Sequence, residues 1–595
     1  MPTLLTLILA VALQAAPKEA NPVPIRTQID NLTFKDTRYL PRTLNDFQDT
    51  KAFVLVFTNT TCPLVIKYLP MLQRMEKEYR GKGVQFLAMN VSEEDSIIQM
   101  ATQQVEYGLE FPCVKDVRGA CAKKLGVQRT PEVVILDAQR RIAYRGRIDD
   151  KYRLGGMRPE ASRTDFQTAL EEVLAGKSVT QAETPVDGCL ITFAEATPPK
   201  ETITYAEHIA PLIRKHCIEC HRPGTPAPFA LLTYDQVAGK AQMIAEVTHE
   251  QRMPPWYASP EFGTFQNKRG LSTQERELFQ HWVASGKQRG DETRLPALPD
   301  EIVKPRITWA IGEPDLVLAT PEYPLPAEGL VPYQYVVLKH VFTEDTWVQG
   351  VQIRPKNQKT VHHANLAYFK VGEAFRLSNF ITGFVPGGEP MNLRDGMGFL
   401  IPKGMMLVLQ IHYVTTGQTE KGQVEVAFKY AKEPIQKRLR FHLFVDHRFA
   451  IPPGAPAYRV SASKIFNDEI EGVGLFCHMH VRGRDMTFRA TKPGQPGETL
   501  LMIPNYNFDW QIPYRWTPGS MIFPKGTRID CVAHYDNSPF NPYNPDPKAT
   551  VRDGQQTQDE MMNGFFFYTL VGEKLNLTVD PATGRVKEQQ KAVGQ

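Results

Sequence analysis

Residues Ala52–Pro63 read AFVLVFTNTTCP, and this stretch decides the fold of the first third of the chain. The apolar run from Ala52 to Phe57 has no polar alternation, so it predicts a strand buried on both faces. Asn59, Thr60 and Thr61 end the strand. Cys62-Pro63 then opens an amphipathic pattern that runs to Glu78, with proline where a helix has no N–H to lose. Val84–Val91 and Val133–Asp137 are further strand runs separated by helical patterns. That order predicts an α/β layer fold over residues 27–185.

At 595 residues, the chain has room for about three to five domains. Hydrophobic residues are 42% and charged residues 23%, a globular balance, and the net charge of +4 gives no basis for a nucleic-acid partner. Residues 4–16, LLTLILAVALQAA, are too few to span a bilayer and read as the core of a signal peptide covering 1–16, although Met1-Pro2-Thr3 carries no Lys or Arg. The expectation is a bacterial periplasmic or secreted protein with no integral membrane segment in the mature chain. Its eight cysteines would then sit where pairing is permitted.

Beyond Pro198-Pro199 the pattern turns helical over 200–292. Ser272-Thr273-Gln274-Glu275 is a capping box, and Gly286 is the stop signal. A Pro-rich linker, 296–308, leads into a region where strands and turns dominate, predicting two all-β sandwiches over 308–440 and 441–580.

The helical segment carries Cys217-Ile218-Glu219-Cys220-His221. C-x-x-C-H is the covalent attachment pattern for haem c, with two thiols for the porphyrin edge and a histidine for the iron. This predicts a small all-α, cytochrome c-like domain with one haem c on Cys217, Cys220 and His221. Met253, in Arg252-Met253-Pro254-Pro255-Trp256, is the candidate sixth ligand, and Met243 is the runner-up.

A strand, then Cys62-Pro63 opening a helix, then Thr130-Pro131 before another strand, resembles the thioredoxin and peroxiredoxin superfamily over about 27–180. The resemblance makes Cys62 the candidate redox thiol, activated by the helix N-terminus, and makes Pro131 the counterpart of the family's cis-proline. This chain departs from the family patterns. Val65 and Ile66 stand where C-x-x-C and C-x-x-x-C would place a second cysteine, and Asn59 and Leu55 stand where a peroxiredoxin carries Thr and Pro. Cys113, Cys121 and Cys189 are each candidates to resolve a mixed disulfide on Cys62, and spacing does not choose among them. A scaffold domain with one structural disulfide is the alternative.

Four places in the β-rich half concentrate metal-ligating side chains: His362-His363, Gln410-Ile411-His412-Tyr413, His478-Met479-His480, and Asp559-Glu560-Met561-Met562-Asn563. His478 and His480, two apart on a strand, share a face and can chelate one metal. His362 and His363 would face opposite sides of a regular strand, so both ligate only where the backbone is irregular. The order of these motifs resembles the copper type II, ascorbate-dependent monooxygenases, the peptidylglycine monooxygenase and dopamine β-hydroxylase family, over about 310–575. The resemblance implies two eight-stranded jelly-roll sandwiches, each holding one copper across an open, watery cleft. It assigns His362, His363 and His412 to an electron-transfer copper, and His478, His480 and Met561 to the catalytic copper that activates O₂, with ascorbate as the family reductant. Phe476 and Phe565 replace the Arg and Tyr of peptide-amidating members, which argues for a less charged substrate. Met562 replaces a cysteine, leaving Cys477 as the candidate partner for Cys531; His442, His447 and His534 read as structural.

The resulting expectation is a copper monooxygenase that hydroxylates a C–H bond of a small organic substrate with O₂ and two electrons. The fused haem c domain would relay those electrons from a periplasmic donor. The alternatives are a non-catalytic redox relay or copper-handling protein, and a thiol peroxidase built on Cys62.

Overall fold

The computed structural model describes residues 23–193, 202–225, 227–295, 297–303, 309–370, 372–373, 379–385 and 387–589. The proposed signal peptide and the boundary at Pro198-Pro199 lie outside the described residues. The chain divides into two compact units, Met1–Asp95 with Tyr107–Ala194, and Ser96–Glu106 with Glu195–Gln595.

The first unit is built on a seven-stranded mixed sheet. Its strands are β1 (Thr33–Asp36), β2 (Pro41–Thr43), β3 (Ala52–Thr58), β4 (Val84–Asn90), β5 (Cys113–Lys115), β7 (Glu132–Asp137) and β8 (Ile142–Gly146), in the order β2-β1-β5-β4-β3-β7-β8. All seven residues of β3 are buried, and it runs parallel to β4 and antiparallel to β7. A strand covered on both faces needs apolar side chains throughout, which is why AFVLVF lacks alternation. The helix α1 (Pro63–Arg80) follows, with Cys62 as its N-cap and Leu64, Val65, Tyr68, Leu69, Leu72, Met75 and Tyr79 buried along one side. These join Val54, Val56, Phe86, Phe111 and Phe166 in one core. Each fully buried aliphatic or aromatic side chain contributes about 1.5–3 kcal/mol relative to exposure. A two-stranded ribbon pairs β6 (Arg129–Thr130) with β9 (Cys189–Leu190).

The second unit holds the helical segment and the β-rich half. Helices α2 (Ala210–His216), α3 (Ala241–His249) and α4 (Thr273–Ala284) close over Phe279 and Trp282, both fully buried. The Ser272/Glu275 capping box is formed in both directions, and Gly286 sits at φ +85° where the chain leaves α4. Within the expected linker the chain makes a short helix, Asp300–Val303.

Next comes a four-stranded sheet of β10 (Gln334–Phe342), β11 (Val361–Lys370), β12 (Phe380–Phe384) and β13 (Met405–Tyr413), ordered β10-β13-β11-β12. It shares a core with a six-stranded sheet through Leu366, Leu409, Val351 and Phe428. A second sheet pair follows. One sheet has five strands and contains β14 (Ile470–His478) beside β17 (Asn563–Leu570); the other has four and contains β15 (Gly483–Thr491) beside β16 (Arg528–Tyr535). Leu475, Phe488, Ile529 and Phe566 join these two sheets in one core. This half is all-β, built from multiple sheets. No described helix is long and apolar enough to cross a membrane.

Candidate functional sites

In the second unit, His362 and His363 open β11, and His412 lies near the end of β13 directly across from His363. The β11–β13 register shifts between Val361 and His363. A regular strand would point adjacent side chains to opposite faces, but this irregularity lets both rings approach His412. One ligand atom from each of the three histidines lies within 4.8 Å of the others. The Nδ1 atoms of His362 and His363 are 3.1 Å apart, and the buried Nδ1 of His412 has no hydrogen-bond partner. Orphaned buried nitrogens are costly unless something fills the gap, and a metal ion fits this one. Burial pushes the His412 imidazole down to about 4, with His362 adding repulsion. Burial, then the neighbouring histidines, hold His363 well below the usual range. Neutral imidazole is the metal-binding form.

His478 ends β14, and His480 lies two residues on. Their ring centroids are 5.2 Å apart. Here the Nδ1 atoms are already engaged, His478 with Gln511 Oε1 at 2.7 Å and His480 with the Asp559 carbonyl at 3.1 Å. That leaves both Nε2 atoms as donors, with the tautomer set by the outer partner. Burial lowers the His480 imidazole to about 3. Met561 is buried, two residues before Asn563, which pairs with His478 across β14 and β17. Asn563 Nδ2 lies 3.4 Å from its sulfur. Three nitrogens in one group, and two nitrogens with a nearby thioether in the other, are donor sets that suit copper.

The buried Glu560 is what joins this second group. Its carboxylate accepts the backbone N–H of His480 at 2.9 Å, of Arg482 at 2.6 Å and of Met561 at 3.2 Å. It therefore ties the H-x-H turn to the methionine segment. Burial raises its carboxyl to about 7 against these hydrogen bonds.

The two groups are neighbours. The His363 and His478 rings are 6.2 Å apart, and both His363 and His480 are buried. This differs from the open, watery cleft that the resemblance implies, because the loop Asn507–Gln511 fills the space. Phe508 stacks on His362 at 5.0 Å and lies 6.1 Å from His480, while Asp509 Oδ1 pairs with His362 Nε2 at 3.0 Å. No motif marks this loop in the sequence; its role comes from tertiary placement alone. Tyr333 also packs on His412, at 4.7 Å. The remaining histidines of this half have other partners. His534 pairs with Asp485, His447 with Asp553, His442 packs on Phe444 and Phe466, and His340 packs on Phe342.

In the helical segment, Cys217 caps α2, and the His221 N–H donates to the Cys217 carbonyl at 2.8 Å, closing the C-x-x-C-H turn. His221 Nδ1 meets the Phe229 carbonyl at 3.1 Å, which leaves Nε2 as the ligating atom. Cys217 and Cys220 are free thiols. This donor set fits a covalent haem. Met253 follows α3, its N–H bonded to the Val247 carbonyl. Met243 lies within α3, with its side chain exposed. The residues after Met253 pack on the β half: Trp256 on Tyr514 at 4.9 Å, and the Tyr257 hydroxyl on Asn507 at 3.3 Å.

In the first unit, Cys62 Sγ lies 2.8 Å from Cys189 Sγ and 3.3 Å from the Thr130 carbonyl. The Thr130–Pro131 peptide bond is cis. Of the three candidate resolving thiols, Cys189 lies against Cys62, while Cys121 bonds to the Thr33 carbonyl. Burial raises the Cys62 thiol, but the Cys189 thiol and the N–H groups of Val65 and Leu64 outweigh it, so the net direction is down. Burial and the neighbouring Cys62 push Cys189 up to about 11. Cys477 and Cys531 are both buried, free thiols.

Comparisons with known proteins bear on this first unit. Residues 27–162 match the Redoxin family model. The chain is 31% identical over 94 residues to the thiol-disulfide oxidoreductase ResA of Bacillus thuringiensis subsp. konkukian, covering 16% of this chain and 53% of that protein. It is 28% identical over 87 residues to ResA of Halalkalibacterium halodurans, covering 15% and 48%. The chain thus spans about half the length of the curated relatives it matches. Among solved structures, a hypothetical protein from Sinorhizobium meliloti 1021 is 28% identical, covering 30% of this chain and 98% of that one, at a TM-score of 0.28. The first unit is a thioredoxin-like, redoxin-type α/β domain, and an all-β region follows it.

Proposed function

We propose that the β-rich half is a copper-dependent monooxygenase that hydroxylates a C–H bond of a small organic substrate using O₂ and two electrons. The observation that carries this reading is the meeting of five histidines in two adjoining groups, with Met561 tied to the second through Glu560 and Asn563. His362, His363 and His412 offer Nδ1 atoms to one copper; His478 and His480 offer Nε2 atoms, and Met561 its sulfur, to the other. Copper, when bound, supplies one-electron transfer and oxygen activation. The chain's own part is to hold the imidazoles of His363, His412, His478 and His480 neutral by burial and the site dry. Phe508 covers the rings of His362 and His480, and Asp509 and Gln511 orient His362 and His478 from outside.

In this reading the sheets form the two jelly-roll sandwiches of that family. Cys217, Cys220 and His221, with Met253 as sixth ligand, hold one haem c that serves as the electron source, beside or in place of ascorbate. The packing of Tyr257 on Asn507, next to Phe508, supports such a link. Export to the periplasm or beyond accompanies it.

The test is copper and iron per chain, on haem-matured, copper-loaded protein. Two coppers and one iron, falling to one copper in His478→Ala, support the reading. One iron without stoichiometric copper reduces the β half to a scaffold. Met561→Leu separates enzyme from copper store: it abolishes hydroxylation in the first case and only weakens affinity in the second.

The redoxin match and the Cys62–Cys189 contact favour a second activity, thiol–disulfide exchange by the first unit, as part of a redox relay.

A further inference from the structure

We propose that Cys62 and Cys189 form a reversible dithiol–disulfide site that exchanges electrons with protein dithiols, with Cys189 supplied from outside the redoxin-matched segment. This deepens the thiol reading and is independent of the copper one.

The geometry is specific. Cys189 sits on β9, well beyond residue 162 where the family match ends. β9 pairs antiparallel with β6, Cys189 opposite Thr130 and Leu190 opposite Arg129. The ribbon is pinned by the Ile191 N–H on the Gln128 carbonyl at 2.9 Å and by Arg129 Nη1 on the Gly188 carbonyl at 2.8 Å. Thr130 is also the residue whose carbonyl lies against Cys62, so pairing with it delivers Cys189 to Cys62. Gly188 makes the approach possible, because a Cβ there would stand 2.4 Å from the Thr130 oxygen. Bringing the sulfurs from 2.8 Å to a bond of about 2.05 Å needs only a small side-chain adjustment.

The two sulfurs differ in access. Cys62 is 2% exposed, whereas Cys189 is half-buried. In the oxidised pair an incoming partner thiolate meets Cys189 Sγ. A bond forms between them, the Cys62–Cys189 bond breaks, and Cys62 leaves as the thiolate held by the N–H groups at the start of α1. The partner's second thiolate then attacks its own sulfur in the mixed disulfide and expels Cys189, which takes up a proton. One partner dithiol becomes a disulfide, and the pair gains two electrons and one proton, on Cys189, while Cys62 stays the thiolate. The reverse sequence with a partner disulfide regenerates the Cys62–Cys189 bond. A good leaving group and an accessible sulfur are what fast exchange requires.

The test uses the full chain equilibrated in glutathione buffers of graded GSSG/GSH ratio, quenched with N-ethylmaleimide and mapped by peptide mass spectrometry. The expected result is a Cys62–Cys189 disulfide that rises with the ratio and is reduced by dithiothreitol under native conditions. Cys62→Ser should then accumulate a Cys189–glutathione adduct at least tenfold above wild type, for want of the resolving thiolate. A disulfide from Cys62 to Cys113 or Cys121 overturns the pair but keeps the thiol reading. A Cys62–Cys189 bond that native dithiothreitol does not open makes it structural and overturns exchange. No disulfide and no adduct at Cys189 at any ratio overturns both. The wild-type measurement depends on no variant folding.

Discussion

Gly188→Ala is the sharpest probe of the first unit, because its effect can be worked from atomic positions. The new methyl would stand 2.4 Å from the Thr130 carbonyl oxygen and 3.0 Å from its carbon, both backbone atoms. An ordinary contact there needs roughly 1 Å more separation, since non-bonded heavy atoms settle near 3.5 Å. Forcing the methyl in costs about 1–3 kcal/mol by analogy with overpacked cores. The alternative is for β9 to lift off β6. That sacrifices the Ile191–Gln128 bond and the charged Arg129–Gly188 bond, about 1 and about 1.5–3 kcal/mol. The two routes are comparable, and both move Cys189 away from Cys62. A lift of about 1 Å takes the sulfurs from 2.8 Å to well beyond the about 2.05 Å that a bond requires. The expected outcome is at least a tenfold loss in the equilibrium constant for the Cys62–Cys189 disulfide in glutathione buffers. The melting temperature should fall by roughly 2–12 °C, since about 1–3 kcal/mol is lost and a unit of this size shifts by about 2–4 °C per kcal/mol. An unchanged disulfide midpoint in a folded Gly188→Ala protein would refute the argument that β9 pairing positions Cys189.

Four further outcomes are expected. Glu560→Ala strands three buried N–H groups, at about 1–3 kcal/mol each; urea unfolding should show a loss of roughly 3–9 kcal/mol, and a loss under 1 would remove Glu560 from its tying role. Asp509→Ala removes the outer partner of His362 and should weaken one copper about 10–100-fold while sparing the other; equal weakening of both in a copper titration counts against the two-group assignment. In metal-free protein, His412 and His480 have folded values of about 4 and about 3, below the unfolded value of about 6.5, so the unfolded state binds more protons. Stability should therefore be full above pH 6.5 and fall as pH drops through 6.5 towards 4, by up to about 1.4 kcal/mol per pH unit per histidine; a flat denaturation midpoint from pH 7 to 5 would contradict that burial. Finally, the lowered Cys62 thiol should alkylate with iodoacetamide at pH 7 faster than Cys121, which burial and Asp116 push up, and the reverse order of labelling would remove the helix-N-terminal activation.

The α/β architecture was legible because a doubly covered strand leaves a plain signature. AFVLVF can be little else, and Cys62-Pro63 marks where the next helix begins. The capping box at Ser272 was equally readable, since its two hydrogen bonds are made between residues three apart. The histidine groups were legible as residues but not as a shape. Adjacent His362 and His363 can converge only through a register shift, and sequence periodicity cannot announce a bulge. The choice of Cys189 over Cys113 and Cys121 was invisible for a related reason. It depends on a two-residue ribbon whose partner lies about sixty positions earlier, and strands that short carry no pattern. Glu560 was visible in its motif but not in its task, which is to accept three backbone donors from two separate segments.

The least legible feature is also the one that connects the second unit. Within five residues, Asn507 bonds the Tyr257 hydroxyl from the helical segment, Phe508 stacks on His362, Asp509 bonds the same ring, and Gln511 bonds His478. One short loop thus touches the segment that follows Met253, the histidines of the first sheet pair, and those of the second. Coupling needs such continuous contact, and no other property of the loop is conspicuous: it has no regular structure, and Asp509 is exposed. If the helical segment feeds electrons to the histidine groups, removing the Phe508 ring should alter that communication without removing any ligand. In Phe508→Ala, copper stoichiometry should hold at the wild-type value, while the copper spectrum of the His362 group shifts and its reoxidation slows. Loss of copper with the ring would instead assign the loop a purely structural part in building the site.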